Sequence, residues 1–155
     1  MDTKTTETRA PAQQVTHLLL CEAILDALPD RIAAIDERGA IVAANSAWRR
    51  SFIPESIGLL PDPIGCRYDD GCRASAIGPA DEHADALVAE VERILGGELK
   101  AFTYEYPCKS GTGRWYRVEV TPVMQAGVTI VIRHQDITES REAEARRQAR
   151  LQARP

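Results

Sequence analysis

Residues 113–140 read GRWYRVEVTPVMQAGVTIVIRHQDITES, and this stretch decides the fold class. In its first half Tyr116, Val118 and Val120 alternate with polar residues, and its second half, GVTIVIRHQDI, is rich in β-branched residues. Alternation with a period of two is typical of a strand with one buried face, and the intervening QAG is typical of a turn. The stretch therefore predicts two neighbouring antiparallel strands.

Three more strands are predicted on the N-terminal side of this pair. In KAFTYEYPC the aromatic residues Phe102, Tyr104 and Tyr106 alternate, and SGTG separates this segment from the next strand. Further upstream, RIAAID and AIVAAN are two short apolar runs joined by a turn that contains Gly39, which is a hairpin pattern. We therefore expect an α+β fold with five strands.

Two longer helices are predicted from apolar spacing and from their end signals. Residues 81–98, DEHADALVAEVERILGGE, place one apolar stripe on a helix that ends at Gly96-Gly97. Residues 15–28, VTHLLLCEAILDAL, are apolar on nearly all sides and are followed by Pro29. Because such a helix cannot stay solvated all round, we expect one face to cover the domain and another to meet a second copy of the chain.

The remaining segments complete the expected organisation. Asn45-Ser46 predicts the start of a short helix, and the proline- and glycine-rich residues 53–80 predict short helical turns over a pocket. The end of the chain is acidic and then arginine-rich, an order that favours a helix. We expect a disordered tail at residues 1–14, a flanking helix at 15–29, a central domain at 30–138 and a C-terminal helix at 139–155.

Composition restricts the function classes. The 155 residues are 44% hydrophobic and 27% charged, as in a globular domain, and the net charge of -4 gives no general attraction for nucleic acid. No apolar run is long enough for a signal peptide core or a membrane span. We expect a cytoplasmic protein that binds neither nucleic acid nor membrane, and whose four cysteines are thiols.

Four segments in this order resemble a PAS domain: ILDALPDRIAAIDERGAIVAANSAW, GELKAFTYEYPC, GRWYRVEVTPV and VIRHQDITESREAEA. The resemblance covers about residues 23–145. It implies an antiparallel sheet in the order 2-1-5-4-3, helices across one face, an N-terminal flanking helix and a signalling helix after the Asp-Ile-Thr junction. PAS domains bind small molecules, haem or flavin, or bind nothing and dimerise.

The resemblance places a ligand site in the concavity between sheet and helices, where an unknown small molecule could bind. We expect this pocket to be lined by Trp48, Tyr68, Cys72, Leu87, Val91, Tyr104, Tyr116, Val118, Ile130 and Ile132.

Residues 65–72, GCRYDDGC, hold two thiols six positions apart. Zinc is not expected, because no Cys-x-x-Cys or His-x-x-x-His spacing is present. The segment is similar to a Gly-x-x-Tyr-x-x-x-Cys pattern of sensor-kinase and cyclase-associated PAS domains, which implies a turn at Gly65 and Tyr68 and a buried, packing Cys72. A redox-sensing pair formed by Cys66 and Cys72 stays as an alternative.

No cofactor is expected, and haem is the alternative. The resemblance makes His83 the candidate axial ligand, because haem-binding PAS domains carry a histidine near the start of the longer helix. At 100° per residue, His83 lies roughly 80° from the centre of the apolar stripe, at its edge. A flavin site would lack its polar partners, since the segments TYEYPCKS, RVEVTPV and TIVIRHQDI contain no Asn and only one Gln, Gln135.

The function expected is regulatory and not enzymatic, because kinase, cyclase and phosphodiesterase motifs are absent from the sequence. His134 and Asp136 have no partnered nucleophile, and Asp136 with Glu139 favours a helix cap. We expect a homodimer that signals through the junction Asp136, Ile137 and Thr138 to an attached or separate output of the histidine kinase or cyclic-di-GMP class. The expected dimer contacts are Leu18, Leu19, Cys21, Leu25, Trp115 and Val131.

Overall fold

The structure, a computed structural model, describes residues 11–51, 62–74, 81–125 and 127–153. The described elements follow one another in chain order as α1 (Pro11–Ala27), β1 (Arg31–Ile35), β2 (Ile41–Ala44), α2 (Ser46–Ser51), α3 (Tyr68–Ala74), α4 (Asp81–Leu95), β3 (Phe102–Pro107), β4 (Trp115–Gln125), β5 (Val128–Asp136) and α5 (Thr138–Gln152).

The five strands form one open antiparallel sheet in the order β2-β1-β5-β4-β3, which confirms the predicted fold class and strand order. The register pairs Arg31 with His134 across β1 and β5, and Val118 with the same His134 across β4 and β5. Because paired residues in adjacent strands point to the same face, all three side chains lie on the inner face of the sheet.

The inner face and the helices enclose the hydrophobic core of the described residues. Helix α4 contributes the predicted apolar stripe, in which Ala84, Leu87 and Val91 are buried, and it ends before Gly97, whose φ is 77°. A backbone position with a positive φ favours glycine, so Gly97 ends the helix at little cost in free energy. The strands contribute the buried apolar side chains Ala33, Ile35, Val118, Val120, Ile130 and Ile132.

Several predicted boundaries differ from the observed ones. Helix α1 begins at Pro11, four residues before the predicted Val15, so the end of the predicted tail is helical. Proline is well tolerated in the first turn of a helix, because the amide N–H that it lacks would have no partner there. Of the predicted helical turns in residues 53–80, α3 is described, whereas residues 52–61 and 75–80, and the first ten residues of the tail, lie outside the described residues.

Helix α1 is attached to the domain mainly through its C-terminal end. The buried side chain of Asn45 donates from Nδ2 to the carbonyl oxygens of Leu25 (3.0 Å) and Asp30 (2.8 Å). Its Oδ1 accepts from the backbone N–H groups of Ile32 and Trp48, both at 3.0 Å, and so caps α2 as predicted. One side chain thus holds together α1, β1 and α2. In the described part of the chain, no helix is long and apolar enough to cross a membrane.

Candidate functional site

A buried polar network lies at the centre of the core, around His134 on the inner face of β5. The His134 side chain is 3% exposed, and its two ring nitrogens contact two tyrosine hydroxyls. Nδ1 is 2.7 Å from the hydroxyl of Tyr106 on β3, and Nε2 is 3.2 Å from the hydroxyl of Tyr68, the first residue of α3. The network therefore links the sheet directly to a helix of the opposite layer.

The direction of the hydrogen bonds is assigned from Arg31, whose guanidinium donates hydrogen bonds and cannot accept one. Its Nη2 donates to the Tyr106 hydroxyl oxygen at 3.2 Å, and Nδ1 of His134 is the other described partner of that hydroxyl, so the Tyr106 proton has an acceptor when Nδ1 is unprotonated. A neutral imidazole that accepts at Nδ1 carries its proton on Nε2 and donates it to Tyr68. The Tyr68 hydroxyl is also hydrogen-bonded to the side chain of Cys72 one turn along α3.

Burial keeps the network neutral except at Arg31. Removal from solvent, together with the nearby charge of Arg31, lowers the pKa of His134 well below its usual value. Burial is also the main reason that the pKa values of Tyr68 and Tyr106 are raised. At neutral pH the imidazole and both phenols are therefore uncharged, and the guanidinium of Arg31 is the one charge in the group.

Aromatic rings surround the network. Trp48 of α2 meets the His134 ring edge-on, with 5.4 Å between ring centroids, and the guanidinium carbon of Arg31 lies 4.6 Å from the centroid of the Tyr116 ring. A guanidinium over an aromatic face gains cation–π stabilisation, which offsets part of the cost of burying the charge. Beside Arg31 and Tyr116 a cleft of about 260 Å³ opens from the network to the surface.

Of the ten residues predicted to line a ligand pocket, Tyr116 borders this cleft. Tyr104 is half-buried at the edge of the sheet, where its hydroxyl is 2.6 Å from Nδ1 of His83. The other nine are buried in one cluster, namely Trp48, Tyr68, Cys72, Leu87, Val91, Tyr116, Val118, Ile130 and Ile132. That they contact a ligand stays a prediction.

His83, the haem candidate, lies in the first turn of α4 with its side chain 26% exposed. Its Nδ1 is engaged by Tyr104, and its Nε2 is 3.8 Å from the carboxylate of Glu82. An axial histidine must project into an apolar cavity that accommodates the macrocycle. Tyr104, the hydrogen-bond partner of His83, packs against the buried cluster, and haem ligation by His83 stays a prediction.

The two cysteines of the proposed redox pair occupy different environments. Cys66 is an exposed thiol in the loop before α3, whereas Cys72 is buried and hydrogen-bonded to Tyr68. The loop itself matches the expected turn, because Gly65 has a φ of 85° and Tyr68 begins the helix that follows. The described residues contain no group of three or more side chains arranged to hold a metal ion.

The predicted dimer contacts fall into three sets, of which the first two involve α1. On α1, Leu18 and Leu19 are 63% and 61% exposed, and Cys21 is exposed as well. Leu25 and the half-buried Val131 line a cavity of about 460 Å³ between α1 and the outer face of β1, β2 and β5.

Trp115 lies on the outer face of β4, and the guanidinium of Arg141 stacks 3.9 Å from one of its ring centroids. Arg141 also forms an ion pair of 2.6 Å with Glu105, whose pKa is lowered mainly by its hydrogen bond from Arg117. These contacts fix the first turn of α5 against the sheet.

The predicted junction joins β5 to α5. Ile137 is buried, and its N–H donates to the carbonyl oxygen of Trp115 at 2.9 Å. The carboxylate of Asp136 accepts from the N–H and the hydroxyl of Thr138, at 3.0 and 2.6 Å, and the Thr138 oxygen accepts from the N–H of Trp115. Asp136 thus fixes the position of Thr138. The expected capping arrangement of Asp136 with Glu139 is not formed, because the N-cap residue of α5 is Ile137 and no side-chain capping hydrogen bond is made.

Sequence reasoning missed Arg31, Tyr106 and the inward position of His134. Ile130, Ile132 and His134 are buried at every second position of β5, so an alternation along this strand was the available signal for His134. No comparable signal marks Arg31, because an arginine at the start of a strand normally lies at the surface.

Comparisons with known proteins agree with this fold. A family model described as the PAS fold matches residues 25–142, which is more than half of the chain. An uncharacterised 104.1 kDa protein of Rhodobacter capsulatus, encoded in the hypE 3' region, is 30% identical over 127 residues. That match covers 81% of this chain and only 13% of the relative's length.

Two solved structures show the same architecture. The PAS domain of a protein from Colwellia psychrerythraea superposes with a TM-score of 0.54 at 17% identity, covering 79% of this chain and 98% of that one. The sensor region of a sensor histidine kinase gives a TM-score of 0.54 at 21% identity, covering 72% and 40% of the two chains. With the family model matched across both layers of the fold, the chain belongs to the PAS family.

Proposed function

We infer that this chain is a non-enzymatic regulatory module that dimerises through α1 and passes a change in its core to a signalling output through α5. The single observation that carries this proposal is the apolar surface of α1. Val15, Leu18, Leu19, Leu20 and Ile24 are each more than half exposed, although they lie on different sides of one helix. A contiguous apolar surface of this kind is typical of an interface.

A second copy of the chain is the partner that fits this surface best. The cavity between α1 and the sheet is lined by the apolar side chains of Leu25, Ile32, Val42 and Val131, so α1 does not close over the outer face by itself. A partner helix that packs against α1 and enters this cavity would cover both surfaces at once. Since α1 presents the same surface in each copy, a two-fold arrangement can satisfy both chains.

The route to the output is the junction described above. A displacement of β5 would move Asp136, and with it Thr138 and the start of α5, because hydrogen bonds connect all three. The output is proposed to be a histidine kinase or a cyclic-di-GMP enzyme, attached or separate. The similar sensor region of a histidine kinase supports the first class.

The oligomeric state tests the proposal. We expect a dimer by light scattering at micromolar concentration, and a monomer for the double variant Leu18→Asp/Leu19→Asp. The matched control is Gln13→Asp/Gln14→Asp, which adds the same charge one turn earlier on α1 and leaves the dimer intact. A monomeric native protein, or equal effects of the two double variants, would contradict dimerisation through α1.

Native mass spectrometry of the freshly purified protein also separates the alternatives. A retained mass of one haem per chain, lost in His83→Ala, would favour the haem sensor, and a disulfide between Cys66 and Cys72 after peroxide treatment would favour the redox sensor. We expect neither result, because Nδ1 of His83 is engaged by Tyr104, and Cys72 is buried and hydrogen-bonded to Tyr68.

A further inference from the structure

The cleft beside the buried network has an unusual charge balance. It holds about 260 Å³ and is lined by three arginines, Arg31, Arg50 and Arg114, together with Tyr116, His134 and the single carboxylate of Asp136. Burial keeps His134 neutral, so the cleft carries a net excess of two positive charges. Excess positive charge in a concave site attracts anions and raises their local concentration.

Arg31 has fewer hydrogen-bond partners than its guanidinium has N–H donors. Its side chain is only 7% exposed, and a guanidinium has five N–H donors. Among the described residues, its polar contacts are one hydrogen bond to Tyr106 and the face of the Tyr116 ring, and neither is an anion. Burying a charge without a counterion costs free energy. An anion in the cleft that accepts from the remaining N–H donors of Arg31 would lower this cost.

We propose that this cleft binds a small oxyanion, a carboxylate or a phosphate, with Arg31 at its base and Arg50 and Arg114 at its rim. Both groups match the planar, bidentate donor geometry of a guanidinium. The volume lies just below the range of about 300–1,000 Å³ for typical ligand sites, so the ligand is a small acid and not a nucleotide. This inference rests on the proposed regulatory function and names the class of its ligand.

The cleft is connected to the signalling junction through Asp136. Nη1 of Arg114 lies 3.6 Å from the carboxylate of Asp136, and the same carboxylate holds Thr138 at the start of α5. An anion that enters the cleft competes with Asp136 for Arg114. Binding therefore changes the restraint on the first residue of α5, which couples the ligand site to the output helix.

Thermal unfolding of the full chain tests the proposal with defined probes. Inorganic phosphate and succinate are titrated separately, with sodium chloride at matched ionic strength as the reference. An anion at ten times its Kd shifts the folding equilibrium about elevenfold, which corresponds to a rise in Tm of roughly 3–6 °C for a chain of this size. Phosphate alone, succinate alone or both giving this rise identifies the oxyanion class.

Three variants locate the site. Arg31→Met removes the buried charge and is expected to abolish the anion-dependent rise in Tm. Arg50→Ala changes an exposed rim residue without touching the core, so it stays folded and is expected to weaken binding about three- to tenfold. Arg38→Ala, in the exposed turn between β1 and β2, removes the same charge elsewhere and leaves the anion effect unchanged.

The proposal is overturned if neither anion stabilises the protein beyond sodium chloride, or if Arg50→Ala and Arg38→Ala reduce the effect equally. If Arg31→Met does not fold, the comparison of Arg50→Ala with Arg38→Ala is sufficient to test the location of the anion site. The subunit number measured on the same samples reports the dimer independently, so failure of the anion site is distinguishable from failure of the proposed regulatory assembly.

Discussion

Replacing Tyr106 by Phe removes one hydroxyl from the centre of the buried network and tests whether that network stabilises the fold. The hydroxyl makes two hydrogen bonds, accepting from Arg31 at 3.2 Å and donating to Nδ1 of His134 at 2.7 Å. The Tyr106 side chain is fully buried, so water does not replace the lost donor. The Phe ring fills nearly the same volume, and no cavity term is expected.

The expected loss in free energy of unfolding follows from the two groups that lose their hydrogen bonds to Tyr106. Nδ1 of His134 becomes a buried acceptor without a donor, which costs about 1–3 kcal/mol. Arg31 borders the open cleft and can turn its freed N–H to water, so its contribution is about 1 kcal/mol or less. We therefore expect Tyr106→Phe to lower the free energy of unfolding by roughly 1–4 kcal/mol, the sum of these two ranges.

The matched control is Tyr104→Phe, two residues earlier on the same face of β3. The Tyr104 hydroxyl also bonds a histidine, Nδ1 of His83 at 2.6 Å, but both side chains are only half-buried and the partner can turn to solvent. The expected loss is at most about 1 kcal/mol. Urea denaturation followed by circular dichroism measures both variants. Equal losses for the two, or a loss below about 0.5 kcal/mol for Tyr106→Phe, would refute a stabilising role for the network.

Two further substitutions probe the same core. His134 has a lowered pKa and stays neutral in the folded state, whereas in the unfolded chain it takes up a proton below about pH 6.5. The free energy of unfolding therefore falls as the pH drops from 6.5 towards 5, by up to about 1.4 kcal/mol per pH unit. His134→Gln should flatten this slope in urea titrations at pH 7.5, 6.5 and 5.5, and an unchanged slope would assign it to other groups. Asn45→Ala removes four hydrogen bonds that join three elements and should lower the free energy of unfolding by about 2–4 kcal/mol. Ser46→Ala, which keeps the backbone N–H bond to Asp26, should cost less than about 1 kcal/mol, and similar losses for the two would disprove the role assigned to Asn45.

Much of the fold could be predicted because its signals are local. The alternation of Tyr116, Val118 and Val120 required only the geometry of one strand, and all three side chains are buried on one face as expected. The apolar stripe and the glycine end of α4 likewise depend on residues within one helix. The strand order was obtained from the resemblance, since several antiparallel orders are compatible with the same five strands.

The site was harder to predict because its members are distant in sequence. Tyr68 and His134 are 66 residues apart, and Arg31 and Tyr106 are 75 residues apart. Their contacts depend on which strands are neighbours and on the register between them, and no local pattern contains that information. The exposure of α1 shows the same limit, because composition identified an apolar helix but not which of its sides the domain covers.

The sequence by itself determined the class of fold, the inward-facing residues of β4 and the apolar character of α1, because these follow from periodicity along a single segment. Only the tertiary structure decided that Arg31 is buried with His134. Strand β1 pairs with β5 across about a hundred residues of chain, and this register brings the start of one strand beside the end of the other, inside the core. An arginine whose position in the sequence is typical of a surface residue thereby becomes the buried charge of a cleft.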